Sequence, residues 1–365
     1  MIARLRSRVP HWTGALPVLA VVLLALTWGR SLSVFMVALV SCFLAGAVLA
    51  AVHHAEVIAH RVGEPFGSLV LAVAVTIIEV ALIVTLMADG GDKSAALARD
   101  TVFAALMITC NGIVGLCLLV GALKRKVAVF NAEGTGAALA TVATVAGLSL
   151  VLPTFTTSTP GPQFSTPQLV FASVAALGLY GMFVTTQTVR HRDYFLPVTS
   201  SGEVIDEEHL HPPTARTALI SLGLLALALI AVVGLAKAVS PTIESGVAAA
   251  GLPSSVVGVV IALLVLLPET IAAARAAYRD RVQTSLNLGL GSAMASIGLT
   301  IPAVAVASVW LEGPLILGLG ASHMVLLALT VIVGTLTVIP GRATPLQGGV
   351  HLALLAAYLV LAISP

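Results

Sequence analysis

Charge is the scarcest property of this chain. Only 9% of its 365 residues are Asp, Glu, Lys or Arg, against roughly 25% in a soluble globular domain. With 58% hydrophobic residues and a mean hydropathy of +1.07, that scarcity excludes a soluble class and points to a polytopic membrane protein. The formal charge of +2 is too small to suggest nucleic acid, and the bases stand in short clusters at segment ends. Cysteine is also sparse. Cys42, Cys110 and Cys117 lie in apolar runs without zinc or disulfide spacing. There is no HExxH, which argues against an intramembrane zinc protease, and no EF-hand frame.

What is present is a series of long apolar runs. The basic opening MIARLRSRVPHW precedes a run over about 14–29 that lacks a small-x-small cleavage site, so it is expected to be a retained first helix. Further helices are expected at roughly 34–53, 66–88, 100–123, 134–152, 167–189, 217–239, 254–277, 284–310, 315–339 and 346–363, eleven in all. With the N-terminus cytoplasmic and the C-terminus outside, 14 of the 18 Lys and Arg fall on the inside, as the positive-inside rule requires. The fold class expected is therefore an all-α polytopic membrane protein. Its parts are an N-terminal cap with an extra helix (1–30), a five-helix repeat (31–189), a cytoplasmic linker (190–216) and a second five-helix repeat (217–365). An odd number of spans per half puts the halves in opposite orientations.

Two of the runs carry a carboxylate. GEPFGSLVLAVAVTIIEVALIVTLM buries Glu79, and SSVVGVVIALLVLLPETIAAARAAY buries Glu269, each in the second helix of its half. An ionised Glu at that depth costs at least about 2.5 kcal/mol, so its default reading is an ion site or a water-filled cavity. Pro268 cannot hydrogen-bond to the carbonyl of Leu264, which leaves a hard oxygen ligand one turn before Glu269. In the first half Thr76 stands three residues before Glu79. Each acidic helix precedes one rich in small and hydroxyl residues. In the second half SLNLGLGSAMASIGLT sets Asn287 beside a stripe of Ser285, Gly289, Ser292, Ser296 and Thr300, and in the first half TVFAALMITCNGIVGL carries Thr101, Thr109, Asn111, Gly112 and Gly115. Small residues also serve plain helix packing, and the adjacent acids are what favour a site. Two carboxylates with hydroxyls, a carbonyl and water would supply the six to eight oxygens typical of calcium.

The frame GEPFGS before Glu79, LPE at Glu269, LNLGLGSAMASIGLTIP from Leu286 and QTVRHRDYF at the start of the central loop resemble the calcium/proton exchanger family, in its bacterial ChaA-type branch. That resemblance implies an eleven-helix antiporter of the bacterial inner membrane with one essential acid per repeat, Glu79 and Glu269. Many members carry Gly-Asn ahead of each acid, whereas this chain has Val75-Thr76 and Val265-Leu266, so sodium or potassium stands as the alternative cation to calcium. No cofactor is expected, the partners are the lipid bilayer and the transported cations, and a homo-oligomer is left open. A channel using the acids as a selectivity ring is the less favoured reading, because the repeat suits a transporter. An enzyme would need a nucleophile or metal triad that the sequence does not offer. Two polar clusters remain: His53, Glu56 and His60 on one helix face, a metal or pH-sensing site or, as favoured, a wetted helix end, and Glu203, Asp206, Glu207, Glu208, His209 and His211 in the central loop, a calcium-binding or pH-sensing regulatory segment or, as favoured, a solvated linker.

Overall fold

A computed structural model describes residues 11–30, 32–63, 66–88, 95–198, 213–253, 255–311 and 313–364. Among these residues the chain forms eleven helices: α1 (His11–Thr27), α2 (Val34–Val62), α3 (Phe66–Ala88), α4 (Leu97–Arg125), α5 (Ala132–Thr154), α6 (Thr166–Arg190), α7 (Ala215–Ala249), α8 (Ser255–Tyr278), α9 (Val282–Ala307), α10 (Ala321–Val338) and α11 (Pro345–Ile363). Nine are long and apolar enough to cross a membrane, and α1 and α3 contain shorter apolar stretches. The all-α expectation holds.

Several boundaries differ from expectation, α7 most, since it runs ten residues past 239 to Ala249, and two of them have a plain structural reason. Helix α2 runs nine residues further, because nothing between His53 and Val62 breaks a helix. It ends only at Gly63, whose φ of 75° suits glycine and whose N–H bonds to Ala59 O. Hydropathy reports where apolar character stops, which is not where the hydrogen-bond ladder stops. Helix α10 starts later than expected because residues 314–320 form no helix. Their backbone is satisfied laterally, Ile316 N donating to Ala95 O, Gly318 N to Pro162 O and Leu319 N to Leu150 O. Gly318 is required there, since a Cβ would lie 2.5 Å from Thr154 Oγ1 and 2.7 Å from Pro162 Cβ.

The chain divides into two compact units. The first, Met1–Thr85 with His209–Gly246, contains α1, α2, most of α3 and α7. Its helices approach over small residues: Gly46 of α2 and Gly234 of α7 each receive a leucine of α1, Leu16 and Leu24. His54 ties the three together, with Nε2 3.0 Å from Thr13 O and Nδ1 3.3 Å from Ser221 Oγ.

The second unit, Leu86–Glu208 with Val247–Pro365, holds the remaining helices. At its centre is α4, in which every residue from Thr101 to Gly115 is buried; a helix enclosed on all sides belongs to a core. Helices α8, α9 and α11 pack around it. Gly115 and Gly348 let α4 and α11 cross almost backbone to backbone, for a Cβ on Gly348 would stand 2.6 Å from Leu119 N and 2.8 Å from Gly115 O. A two-residue antiparallel ladder, Ala128–Val129 with Arg342–Ala343, joins the turn after α4 to the turn before α11.

Candidate cation site

In the first unit Glu79 is 2% exposed on α3, amid buried Val75, Ile78, Leu82 and Ile83. Thr76, one turn earlier, is also buried, and its hydroxyl meets no hydrogen-bond partner among the described residues. An unused hydroxyl beside an enclosed carboxylate is an available oxygen ligand.

In the second unit Glu269 is 9% exposed on α8, directly after buried Pro268. Its level can be read from the packing of α8 on α4. Gly258 lies against Asp100 and Thr101, and Ala273 packs with Ile113, so the two helices run parallel. Counting eleven residues on from Gly258, or four back from Ala273, at about 1.5 Å per residue sets Glu269 level with Thr109–Asn111. There α4 departs from α-geometry: Ile108–Ile113 forms a π-helical stretch, a widened turn often found at functional positions. Across from it Gly289 of α9 lies close to Ile113 and to the carbonyl of Thr109, 3.2 and 3.7 Å from its Cβ position.

The expected supporting residues separate into two groups. Thr109 stands at the level of Glu269, with its hydroxyl donating to Ala105 O at 2.7 Å. Ser292, half-buried, and Ser296, buried, follow Gly289 by about one and two turns of α9. Asn111 and Asn287 are engaged elsewhere. Asn111 donates to Thr330 Oγ1 at 2.9 Å and meets His351 Nδ1 at 3.1 Å through Oδ1, while Asn287 donates to Phe195 O at 2.6 Å and accepts from Gln283 Nε2 at 2.8 Å. Among the described residues no three His, Cys, Asp or Glu side chains gather as a metal centre, which includes the His53, Glu56 and His60 face. The acidic stretch 203–211 lies outside the described residues.

The sequence reading missed His351, Thr330 and Thr337 in the second unit and His54 in the first. The available signal was an imidazole within an apolar run, which in a membrane helix marks a partnered group by default.

Among the described residues, eleven helices, nine of them of membrane-spanning length and apolarity, define a multi-pass membrane protein. The family profile described as Sodium/calcium exchanger protein matches residues 32–189 and 220–364, and the chain belongs to that family. It is 47% identical over 375 residues to the y4hA protein of Sinorhizobium fredii, covering 100% of both chains. It is 35% identical over 348 residues to the Sodium-potassium/proton antiporter ChaA of Escherichia coli, covering 94% of each. Among solved structures, native YfkE superposes at a TM-score of 0.71 over 97% of this chain and 98% of that one. The H+/Ca2+ exchanger CAX superposes at 0.72 over 95% and 86%. Both are 15% identical to this chain, so the likeness is one of fold.

Proposed function

We propose that the protein is a secondary antiporter that exchanges a cation for protons by alternating access, with Glu79 and Glu269 as the shared site. The observation that carries this reading is one nearly enclosed glutamate in each unit, each on an apolar helix. Two carboxylates in a poorly hydrated site raise each other's proton affinity, so protons occupy the pair near neutral pH, and a divalent cation neutralises both at once. Antiport follows if the empty, doubly charged site cannot cross the membrane. The two profile matches, on either side of the central loop, support five-helix repeats over 31–189 and 217–365 of opposite orientation, with 1–30 as an extra helix and 190–216 as a cytoplasmic linker. Such repeats meet near the bilayer midplane. Thr76, Thr109, Pro268, Ser292 and Ser296 supply or support oxygen ligands in this reading, with Asn111 and Asn287 holding the helices that carry them.

Calcium is the cation assigned, on the charge of the pair. Sodium or potassium is the second reading, favoured by the 35% identity to ChaA and by the lack of Gly-Asn ahead of either acid.

The test is flux in proteoliposomes under an imposed pH gradient, with calcium, sodium and potassium supplied in turn. If protons and the cation share the pair, lowering pH on the loading side raises the apparent KM. Well below both pKa values, apparent affinity falls by up to about a hundredfold per pH unit for two groups titrating jointly, against tenfold for one. A KM independent of pH over the range where rate changes would overturn the shared site.

A further inference from the structure

We infer that His351 is a positioning residue for the cation site, acting through Asn111 to hold the π-helical turn of α4 beside Glu269; this rests on reading Glu269 as a cation-binding acid. Four buried polar side chains from three helices form one directed chain. Asn111 Nδ2 donates to Thr330 Oγ1, which donates onward to Leu326 O at 2.8 Å, so the amide orientation is set. Asn111 Oδ1 is then the acceptor facing His351 Nδ1 at 3.1 Å, and that nitrogen carries the proton. Nε2 is left as an acceptor and receives the hydroxyl of Thr337 at 3.2 Å. Each of the four side chains is at most 4% exposed. In a dry interior such a chain is a directional constraint, because losing one member leaves another without a partner.

The object constrained is the turn Ile108–Ile113. A π turn is a one-residue expansion of the helix and is rarely stable unless its surroundings hold it. Relaxation to α-geometry would rotate one side of α4 relative to the other by about 100°. On the far side of α4 from the His351 chain, Ile113 packs with Ala273 of α8, one turn from Glu269, and the Thr109 carbonyl faces Gly289 of α9. The network therefore fixes, from α10 and α11, which α4 atoms stand beside the acid. The local sequence permits this because Gly115 and Gly348 bring α11 close enough for His351 to reach Asn111. His351, Thr330 and Thr337 also line a small cleft with Thr135 and Cys110. Among the described lining residues Cys110 is the one titratable group besides His351, and the contributions of α5 and α9 are otherwise hydroxyl or apolar.

The test uses the full chain in proteoliposomes with calcium, sodium and potassium each driving proton movement. Asn places its amide nitrogen where His351 Nδ1 stands, whereas Gln mimics Nε2. His351→Leu and His351→Gln are expected to raise the apparent KM about tenfold, as loss of a buried hydrogen bond would, with maximal rate within about twofold. His351→Asn should stay within about twofold of wild type in both. Unchanged KM in His351→Leu, or His351→Asn as impaired as His351→Leu, would overturn the positioning role. If His351→Leu does not yield monodisperse protein, the Asn against Gln comparison decides by the same criterion. Glu269→Gln in the same vesicles separates the two levels of argument. Inactive Glu269→Gln with wild-type KM in the His351 variants removes the positioning role alone, and wild-type exchange in Glu269→Gln removes the carboxylate reading beneath it.

Discussion

Glu79 and Glu269 are nearly enclosed carboxylates on apolar helices, and the proposed cation site stands or falls with them. Glu79 stands among Val75, Ile78, Leu82 and Ile83, and Glu269 follows a proline in the middle of an apolar helix. Replacing either by Gln keeps volume and removes the charge, so the fold has little reason to respond. Glu79→Gln and Glu269→Gln are each expected to abolish cation-dependent proton movement while inserting at wild-type levels, and wild-type exchange in either variant would refute a two-carboxylate site. Both acids were legible in the sequence, because a lone carboxylate in a long apolar run is conspicuous. His351 was not, although it too sits in an apolar run. Its meaning depends on Asn111, 240 residues away, and on Thr337, one helix earlier. Hydropathy assigns a residue to a layer and says nothing about which neighbour meets it. His54 was missed for the same reason. The spacing of His53, Glu56 and His60 is periodic and therefore conspicuous, yet it is His54 that joins α1 to α2 and α7.

At the scale of elements, helix existence and order were readable, and helix ends were not. Hydropathy places the membrane-depth part of a helix, whereas its ends depend on caps and on where lateral hydrogen bonds are available. The overrun of α2 and the late start of α10 both follow from this. The crossing of α4 and α11 is another element-level feature that no periodicity reveals. A Cβ on Gly115 would lie 2.9 Å from His351 Cβ and 3.0 Å from Gly348 O, neither at the end of a flexible side chain. Gly115→Ala is therefore expected to push the helices apart and destabilise the protein by about 1–3 kcal/mol, the usual range for overpacking. Thermal unfolding of the purified protein in detergent measures this, and an unchanged midpoint would mean that the crossing relaxes freely. Gly223 of α7 is the control, since a Cβ there meets no atom within 4 Å.

At the scale of the molecule, the distribution of bases is the main statement about orientation. Fourteen of the 18 Lys and Arg fall on one side of the helix map. Two of the inside-assigned bases also clamp the ends of α4 and α8: Arg125 pairs with Asp280 at 2.7 Å, and Lys124 sits 4.6 Å over the ring of Tyr278. An alkaline phosphatase fused after residue 365 is expected to be active, and a fluorescent protein fused there to be dark, as a C-terminus outside the bacterial inner membrane requires. The opposite pattern would reverse the topology and with it the side on which protons compete.

The enclosure of α4 also bears on how the protein is made. A ribosome delivers α4 long before α11, so Asn111 enters the membrane with neither Thr330 nor His351 yet synthesised. Until then its amide must be satisfied by water at the translocon or by a temporary neighbour, and the face that α11 later covers lacks its final partner. The turn beside Glu269 thus takes its final form only when the last of the described helices is threaded past Gly115. A nascent chain stalled after α10 would contain both acids and most of their surroundings, yet would be held in the membrane as an unfinished exchanger open to quality-control proteases.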